Sequence, residues 1–312
     1  MNQLKTLAEA VKQAAAECGY IDCGIASAEP FALYSRALRR RIMRFPETTE
    51  LYQPMTERTD PPHGAPWVQA VVVCVRRYGL YRLPPGTGDH IGRNYLADRR
   101  VKASPDHPMP TRMTAALRKL GLRVKRGGLP DRLAGARAGV VKIGRNGFAY
   151  HRRAGSWINI ECWRVDAPLP PDPPTLDCPC PPQCRACLEA CPTQALCKPY
   201  LMRMDRCVAY LAYSAPWPIP KQLWRCMGKW IYGCDDCQLA CPLNRGKWRD
   251  LKPMPWLEPI AHLLTPEALA TMDHETYRKH IFPYFWYIPE NNPERWRANA
   301  ARARRSRNET RQ

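Results

Sequence analysis

The sequence has no run of apolar residues long enough to cross a membrane. Its first twenty residues place Lys5, Glu9, Lys12 and Glu17 among the apolar positions, so the unbroken apolar core of a secretory signal peptide is missing. We therefore expect a cytoplasmic protein that does not engage a membrane. In that compartment thiols stay reduced, so a cluster of cysteines indicates metal binding more often than disulfides.

Acidic residues are scarce. The 312 residues contain 28 Asp and Glu against 48 Lys and Arg, which gives a formal net charge of +20. A field of this sign concentrates polyanions such as RNA or acidic cofactors near the protein surface. The charge does not identify which polyanion is bound.

Cysteine is absent after Cys241, although the chain has fifteen cysteines. Four of them precede residue 163, and the other eleven lie between Cys178 and Cys241. This uneven distribution predicts a separate metal-binding domain in the second half of the chain.

The first half of the chain predicts mixed helix and strand. Residues 2–18 repeat apolar positions at helical spacing before Gly19, and 111–120 has the same character. Residues 21–26 and 68–75 are short apolar runs typical of strands, and 140–163 alternates such runs with glycines, as strands joined by turns do. We predict an α+β protein.

A proline-rich segment divides the chain. Residues 168–182 contain eight prolines, which exclude a regular helix or a central strand and predict an extended connector. With a prior of roughly 150 residues per domain, we expect an α/β domain over 1–167, a linker over 168–182, a metal domain over 183–250 and a helical extension over 251–312.

Two copies of one cysteine pattern follow the connector. Each reads Cys-x2-Cys-x3-Cys-Pro, once over 184–192 and once over 234–242. In proteins with two [4Fe–4S] clusters, such a run gives its last cysteine to the other cluster, so each cluster needs one more thiolate. The sequence therefore predicts a bacterial-ferredoxin-like domain with two ligand sets: Cys180, Cys184, Cys187 and Cys241; Cys191, Cys207, Cys234 and Cys237.

Two alternatives stay open for these cysteines. Cys-x2-Cys pairs also bind zinc tetrahedrally, although the paired Cys-Pro endings favour iron and sulfide. The first spacing, from Cys180 to Cys184, is one residue longer than usual, and Cys178 lies close enough to compete with Cys180 as the first ligand.

The last eighteen residues, 295–312, contain seven arginines. They predict a short, basic helical tail. It is either a frayed helix in solvent or an arm that binds phosphates.

Taken together, these segments resemble the epoxyqueuosine reductases, which are cobalamin-dependent iron–sulfur enzymes of tRNA modification. The resemblance runs nearly from end to end. It rests on CGYIDCGIASAEPF (18–31), DRLAGARAG (131–139), IGRN (143–146), AGSW (154–157), CRACLEACPTQAL (184–196), RCVAYLAY (206–213), IYGCDDCQLACPLNR (231–245) and RANAARA (297–303).

The resemblance implies a corrinoid-binding type of N-terminal domain that holds a base-off cobalamin. The positions that line it in the family correspond to Ala149, Ile160 and Trp163, which would also suit an apolar core. Family members reduce an epoxide on a modified guanosine in the tRNA anticodon. The resemblance thus implies a monomeric oxidoreductase that binds tRNA and accepts electrons from a donor such as ferredoxin or flavodoxin.

One position departs from the family pattern. The family's proton donor is an Asp six residues before the Asp-Arg pair, and here that position is Lys125. Asp131, another acid or Lys125 itself would then protonate the leaving oxygen, unless the substrate differs. The sequence leaves three hypotheses. The protein is a member of a divergent subgroup of the family, a related corrinoid reductase of another small molecule, or a ferredoxin-type electron carrier without catalysis.

Overall fold

The computed structural model describes residues 2–87 and 89–309, with side chains as far as residue 306. Among these residues no helix is both long enough and apolar enough to span a membrane.

The described residues form thirteen α-helices and eight strands, with short 3-10 turns between them. The helices are α1 Asn2–Glu17, α2 Ala32–Arg44, α3 Thr49–Thr56, α4 Arg93–Leu96, α5 Met109–Lys119, α6 Asp131–Arg137, α7 Ala186–Glu189, α8 Val208–Tyr213, α9 Lys221–Cys226, α10 Asp236–Leu239, α11 Pro266–Thr271, α12 His274–Thr276 and α13 Glu294–Glu309. The strands are β1 Asp22–Ser27, β2 Ala70–Arg77, β3 Val124–Arg126, β4 Lys142–Ile143, β5 Ala149–Tyr150, β6 Ile158–Val165, β7 Leu196–Lys198 and β8 Leu201–Met202.

The chain separates into two compact units. Unit 1 comprises residues 1–79, 108–184 and 199–201, and unit 2 comprises 80–107, 185–198 and the chain from residue 202 onward. The sequence predicted a domain boundary within the proline-rich segment, 168–182. Residues 80–107 nevertheless pack in unit 2, because Gly92 and Arg82 donate backbone hydrogen bonds to Tyr232 and Lys252.

Unit 1 is built on a four-stranded antiparallel sheet with the order β1-β2-β6-β3. Strand β2 is buried on both faces, because alternate residues point to opposite sides of a sheet. Ala70, Val72 and Cys74 pack with α1 and α5, whereas Val71 and Val73 pack with α6. The unbroken apolar run of β2 follows from this two-sided burial.

The predicted elements of unit 1 are confirmed. The helix expected over 2–18 is α1, and Gly19 ends it with a positive φ of 94°. The strands expected over 21–26 and 68–75 are β1 and β2, and the helix expected over 111–120 is α5.

The proline-rich segment is extended, as predicted, but it is fastened to unit 1. The Asp172 carboxylate accepts hydrogen bonds from Lys12 Nζ at 2.7 Å and from the Ile25 N–H at 2.8 Å. The Thr175 hydroxyl donates to Val141 O at 2.6 Å. These contacts make 168–182 a strap along unit 1 and not a free linker.

Unit 2 is mostly helical, and α13 lies in its core. Trp296 is fully buried and stacks on Tyr232, with ring centroids 4.9 Å apart. Asn299 donates to Ala212 O and to Ile231 O, each at 2.9 Å. The carbonyls at the end of α8 are thereby satisfied by side chains of α13.

The arginines of the predicted tail are divided between two environments. Arg295 donates to the carbonyls of Tyr213, Leu211 and Ala215, and Arg302 to those of Gly228 and Trp230. Both residues are buried, whereas Arg304 and Arg305 are exposed. The hypothesis of a frayed, solvated helix is therefore wrong for 295–303, and residues 310–312 lie outside the described residues.

We expect Asn299→Ala to destabilise the protein by about 2 kcal/mol or more, because two buried carbonyls would lose their donor. Arg304→Ala, on the exposed side of the same helix, should change stability by less than about 0.5 kcal/mol. Thermal unfolding of both variants beside the wild type measures the difference. Equal melting temperatures for the two variants would contradict this role of Asn299.

Candidate metal centre and proton donor

Four cysteines from three separate segments lie near one another in unit 2. Cys191 follows α7, Cys207 precedes α8, and Cys234 and Cys237 lie before and within α10. Burial raises the pKa of the Cys237 thiol, and the neighbouring Cys207 and Cys191 raise it further. Burial likewise raises the pKa of Cys207 and of Cys234. These thiols are thus neighbours within one unit, together with Cys187 of the first predicted set.

Backbone and side-chain groups surround these thiols. The peptide N–H groups of Ala209 and Tyr210, in the first turn of α8, lower the pKa of Cys207 and offset part of the effect of burial. The Asp236 carboxylate accepts a hydrogen bond from Trp230 Nε1 at 2.8 Å and lies 3.6 Å from Cys234 Sγ. N–H groups directed at sulfur are typical of iron–sulfur sites, where they tune the reduction potential.

The first predicted ligand set is divided between the units. In unit 2, Cys187 and Cys241 are buried. In unit 1, Cys180 Sγ accepts a hydrogen bond from the Arg145 N–H at 3.3 Å. The Arg145 guanidinium also donates to Pro181 O at 3.2 Å and to Cys184 O at 2.9 Å. Arg145 therefore fixes the loop that carries Cys180 and Cys184.

Cys178, the competing first ligand, is exposed beside Cys180. Partial burial raises the pKa of the Cys178 thiol. Hydrogen bonds with the Tyr200 hydroxyl and with Cys180 outweigh this effect, so that the pKa is lowered. Sequence reasoning missed both Tyr200 and Arg145. The signal for Arg145 was its place in the IGRN segment, at 143–146.

The donor set fits iron–sulfur clusters. All fifteen cysteines are free thiols, so no disulfide competes for the eight predicted ligands. Within 2–87 and 89–309, no three His, Cys, Asp or Glu side chains are placed closely enough to hold one metal ion, so the fit rests on the chemistry of the donors and not on the distances between them. Thiolates with converging N–H donors are the ligands that [4Fe–4S] clusters use.

Asp131, the predicted catalytic acid, begins α6 in unit 1. Burial raises the pKa of its carboxyl to about 6, and the neighbouring Glu161 contributes to the rise. Its Oδ1 is buried without a hydrogen-bond partner among the described residues. A buried carboxyl with a raised pKa and a free oxygen is suited to proton transfer near neutral pH.

Lys125, at the position of the family's acid, is exposed on strand β3. Its Nζ donates to Gly64 O at 3.0 Å. The side chain is therefore held at the surface by a backbone carbonyl.

The three positions predicted to line cobalamin do not share one face of the sheet. Ala149 and Ile160 pack in the cluster that contains α6. Trp163 is fully buried in the opposite cluster, with α1 and α5, and its Nε1 donates to Thr114 Oγ1 at 2.9 Å. Ala149 and Ile160 fit the edge of an apolar cofactor site, whereas Trp163 does not, because alternate residues of β6 point to opposite sides.

The fold and the cysteines define a class. Residues 180–244 match the family described as "4Fe-4S double cluster binding domain", so this part of the chain binds two [4Fe–4S] clusters. The protein is an α+β iron–sulfur protein with an α/β unit that precedes the cluster region.

Comparison with known proteins identifies the relatives of the whole chain. An epoxyqueuosine reductase of Synechococcus sp. is 28% identical over 318 residues, which takes in 97% of this chain and 96% of that protein. The Yersinia pestis enzyme is 39% identical over 140 residues, or 45% of this chain and 33% of that protein. The chain is thus related to the epoxyqueuosine reductases, although it spans less than half the length of the first curated relatives it matches.

A solved structure shares the fold. An epoxyqueuosine reductase crystallised with an epoxyqueuosine-modified tRNA stem loop superposes with a TM-score of 0.73 at 21% identity, covering 96% of this chain and 81% of that chain. The mixed α/β architecture with a cluster region and a helical C-terminal part, predicted from the sequence, is confirmed.

We expect Cys207→Ala to lower the iron content from about eight to about four atoms per chain, because one cluster would lose a ligand. Cys226→Ala is the matched control, since Cys226 is an exposed thiol of the same unit outside both predicted sets. Iron and sulfide are quantified after anaerobic purification. A Cys207→Ala protein that keeps about eight irons would contradict the ligand set.

We expect the stability of the wild type to fall relative to Asp131→Asn as the pH rises from about 4 to about 7. The native carboxyl, with its pKa raised from 3.8 to about 6, holds a proton that the unfolded chain has released in this window. The loss approaches about 3 kcal/mol, at about 1.4 kcal/mol per unit of pKa. Melting temperatures of both proteins across this range test the sign, and a constant difference would contradict it.

Proposed function

We propose that the chain is an iron–sulfur oxidoreductase that reduces epoxyqueuosine to queuosine in the tRNA anticodon. The match of residues 180–244 to a double [4Fe–4S] cluster binding domain carries the proposal, because two clusters give the protein a redox centre. The similarity to an epoxyqueuosine reductase along nearly the whole chain supports the choice of reaction.

The eight cysteines would act as two ligand sets. We assign Cys180, Cys184, Cys187 and Cys241 to one cluster and Cys191, Cys207, Cys234 and Cys237 to the other. Arg145 supports the choice of Cys180 over Cys178, because its N–H donates to Cys180 Sγ. Each cluster then exchanges one cysteine with the other run, which keeps the two clusters close enough for electron transfer.

Ala149 and Ile160 are the residues of unit 1 that would contact a corrinoid. Both belong to the apolar cluster around α6, the helix that begins at Asp131. When bound, a cobalamin supplies a low-potential metal that passes electrons to the substrate. The side chains would exclude water from its apolar edge.

Asp131 is the proposed proton donor. Removal of the epoxide oxygen as water consumes two electrons and two protons, and the oxygen leaves more easily once it is protonated. Because burial raises the pKa of Asp131 to about 6, its carboxyl retains a proton at a pH where an exposed Asp is ionised. Its Oδ1 is buried and lacks a hydrogen-bond partner among the described residues, so no donor stabilises a negative charge on that oxygen.

A second candidate is a corrinoid and iron–sulfur reductase that acts on another small molecule. The exposed Lys125 favours it, because the position that carries an acid in the family has none here. An electron carrier without catalysis is the third candidate, and it would need only the clusters.

The remaining parts of the proposal concern partners. We propose that tRNA is bound through its anticodon region, that a ferredoxin or flavodoxin supplies the electrons, and that the protein acts as a monomer in the cytoplasm. The net charge of +20 supports a polyanionic partner.

Turnover of an epoxyqueuosine-containing anticodon stem loop, with chemical reductant and added cobalamin, tests the function. The wild type should form queuosine, and Asp131→Asn should lower kcat by about 10²-fold or more, because general acid catalysis contributes that much. Activity should fall as the pH rises through about 6, since Asp131 then loses its proton.

Lys125→Ala is the comparison variant, and it should keep most of the activity. Loss of activity in Lys125→Ala with none in Asp131→Asn would identify the lysine as the donor and contradict the role of Asp131. No queuosine from a wild-type protein with about eight irons and bound cobalamin would exclude this substrate.

A further inference from the structure

A surface of unit 1 that the sequence analysis did not single out carries an unusual concentration of charge. Helix α2, Ala32–Arg44, contains five arginines and no acidic residue. Arg36, Arg39 and Arg40 are exposed, and none of them forms an ion pair or hydrogen bond with any residue in the described part of the chain. We call these three residues the α2 arginine surface.

The helix itself is anchored, so its outer face has a fixed direction. Leu38 is fully buried, and Phe31, just before the helix, is also buried. Arg41 points inward, where its guanidinium lies 5.0 Å from the Tyr52 ring centroid and donates to Tyr200 O at 2.9 Å. The α2 arginine surface therefore belongs to a docked helix.

This arrangement does not stabilise the helix. Residues four apart on a helix are neighbours, so Arg36 and Arg40 repel each other, at a cost of about 0.2 to 0.5 kcal/mol. No Asp or Glu lies three or four residues away within α2 to offset the repulsion. A row of like charges without internal partners is explained most simply by a partner of opposite charge.

The other arginine-rich helix is largely committed to packing. In α13, Arg295 and Arg302 are buried on backbone carbonyls, and Arg297 donates to Met272 O. Two exposed arginines remain there within the described side chains, Arg304 and Arg305. The stronger candidate for phosphate contacts is therefore α2.

We propose that the α2 arginine surface binds the phosphodiester backbone of RNA. The inference rests on the proposed function, in which tRNA is the substrate, and it adds the surface that holds it. Exposed guanidiniums suit phosphate oxygens because they donate in a planar fork. Such contacts position the RNA without reading its sequence.

An anionic membrane is the competing partner. A basic helix that also exposes Leu33 and Met43, which are 77% and 80% accessible, has features of helices that lie on lipid surfaces. RNA is favoured because Leu38 and Phe31 are buried in unit 1, and Tyr34 and Ile42 are half-buried. Two isolated apolar side chains give a small area for insertion into lipid.

The salt dependence of tRNA binding tests the proposal. Fluorescence anisotropy of the anaerobically purified protein with unmodified tRNA is measured over a series of KCl concentrations. The variant Arg36→Gln/Arg39→Gln/Arg40→Gln should lower the slope of log K against log salt by about 2, since each lost phosphate contact removes about 0.7 to 0.9. Affinity at about 0.1 M salt should fall about tenfold or more.

Two controls separate local contacts from net charge. Lys5→Gln/Arg118→Gln/Lys119→Gln removes the same charge from exposed positions of α1 and α5 and should keep the wild-type slope. Arg36→Lys/Arg39→Lys/Arg40→Lys keeps the charge and should retain most of the slope. Two results would overturn the proposal: an equal loss of slope in the two glutamine variants, or an unchanged slope in Arg36→Gln/Arg39→Gln/Arg40→Gln.

Flotation with phosphatidylserine-containing vesicles addresses the membrane. Vesicle binding that depends on Arg36, Arg39 and Arg40, together with tRNA binding that does not, would overturn the proposal in favour of lipid. The result is independent of turnover, because the tRNA is unmodified. If the α2 glutamine variant has a reduced slope but the wild type forms no queuosine, the RNA-binding surface stands and the proposed reaction is refuted. If the wild type forms queuosine but the variant keeps the wild-type slope, the reaction stands and the surface is refuted.

Discussion

Unit 2 places several cysteine thiols near one another in surroundings that raise their pKa. Cys191, Cys207, Cys234 and Cys237 come from three segments, and their burial in unit 2 raises the pKa of the last three. Thiolates placed side by side in a buried site repel one another, and peptide N–H groups offset only part of that effect. Metal binding compensates for the rest, because the positive charge of iron favours thiolate over thiol. We therefore expect cluster assembly and the final packing of unit 2 to be coupled.

Helix α13 illustrates how the surroundings of such a site are fixed. Short helices leave carbonyls without partners, and α8, which begins directly after Cys207, has only six residues. Asn299 and Arg295 supply donors to carbonyls at its end. The basic residues near the end of the chain therefore support the segment that carries a cysteine, although their composition suggested contact with nucleic acid.

Unit 1 contains the carboxyl that we propose as the proton donor. Asp131 sits at the start of α6 with its Oδ1 buried and unpartnered within the described structure. Burial raises the pKa of this carboxyl to about 6, and perturbed pKa values of this kind are common at functional sites. Lys125 is exposed and held by a backbone carbonyl, so the two candidate donors occupy different environments.

The sequence by itself determined the double-cluster region, the main strands and helices of unit 1 and the family resemblance, because these depend on residue type and short spacings. The buried run of β2 and the two Cys-Pro runs are local patterns of this kind. Only the tertiary structure decided that 80–107 belongs to unit 2, that Trp163 lies on the opposite face of the sheet from Ile160, and that Arg295 and Arg302 are buried whereas Arg36 and Arg40 are exposed. The reason is physical: burial and hydrogen-bond partners depend on residues far apart in the chain, so two arginine-rich helices of similar composition acquire different roles.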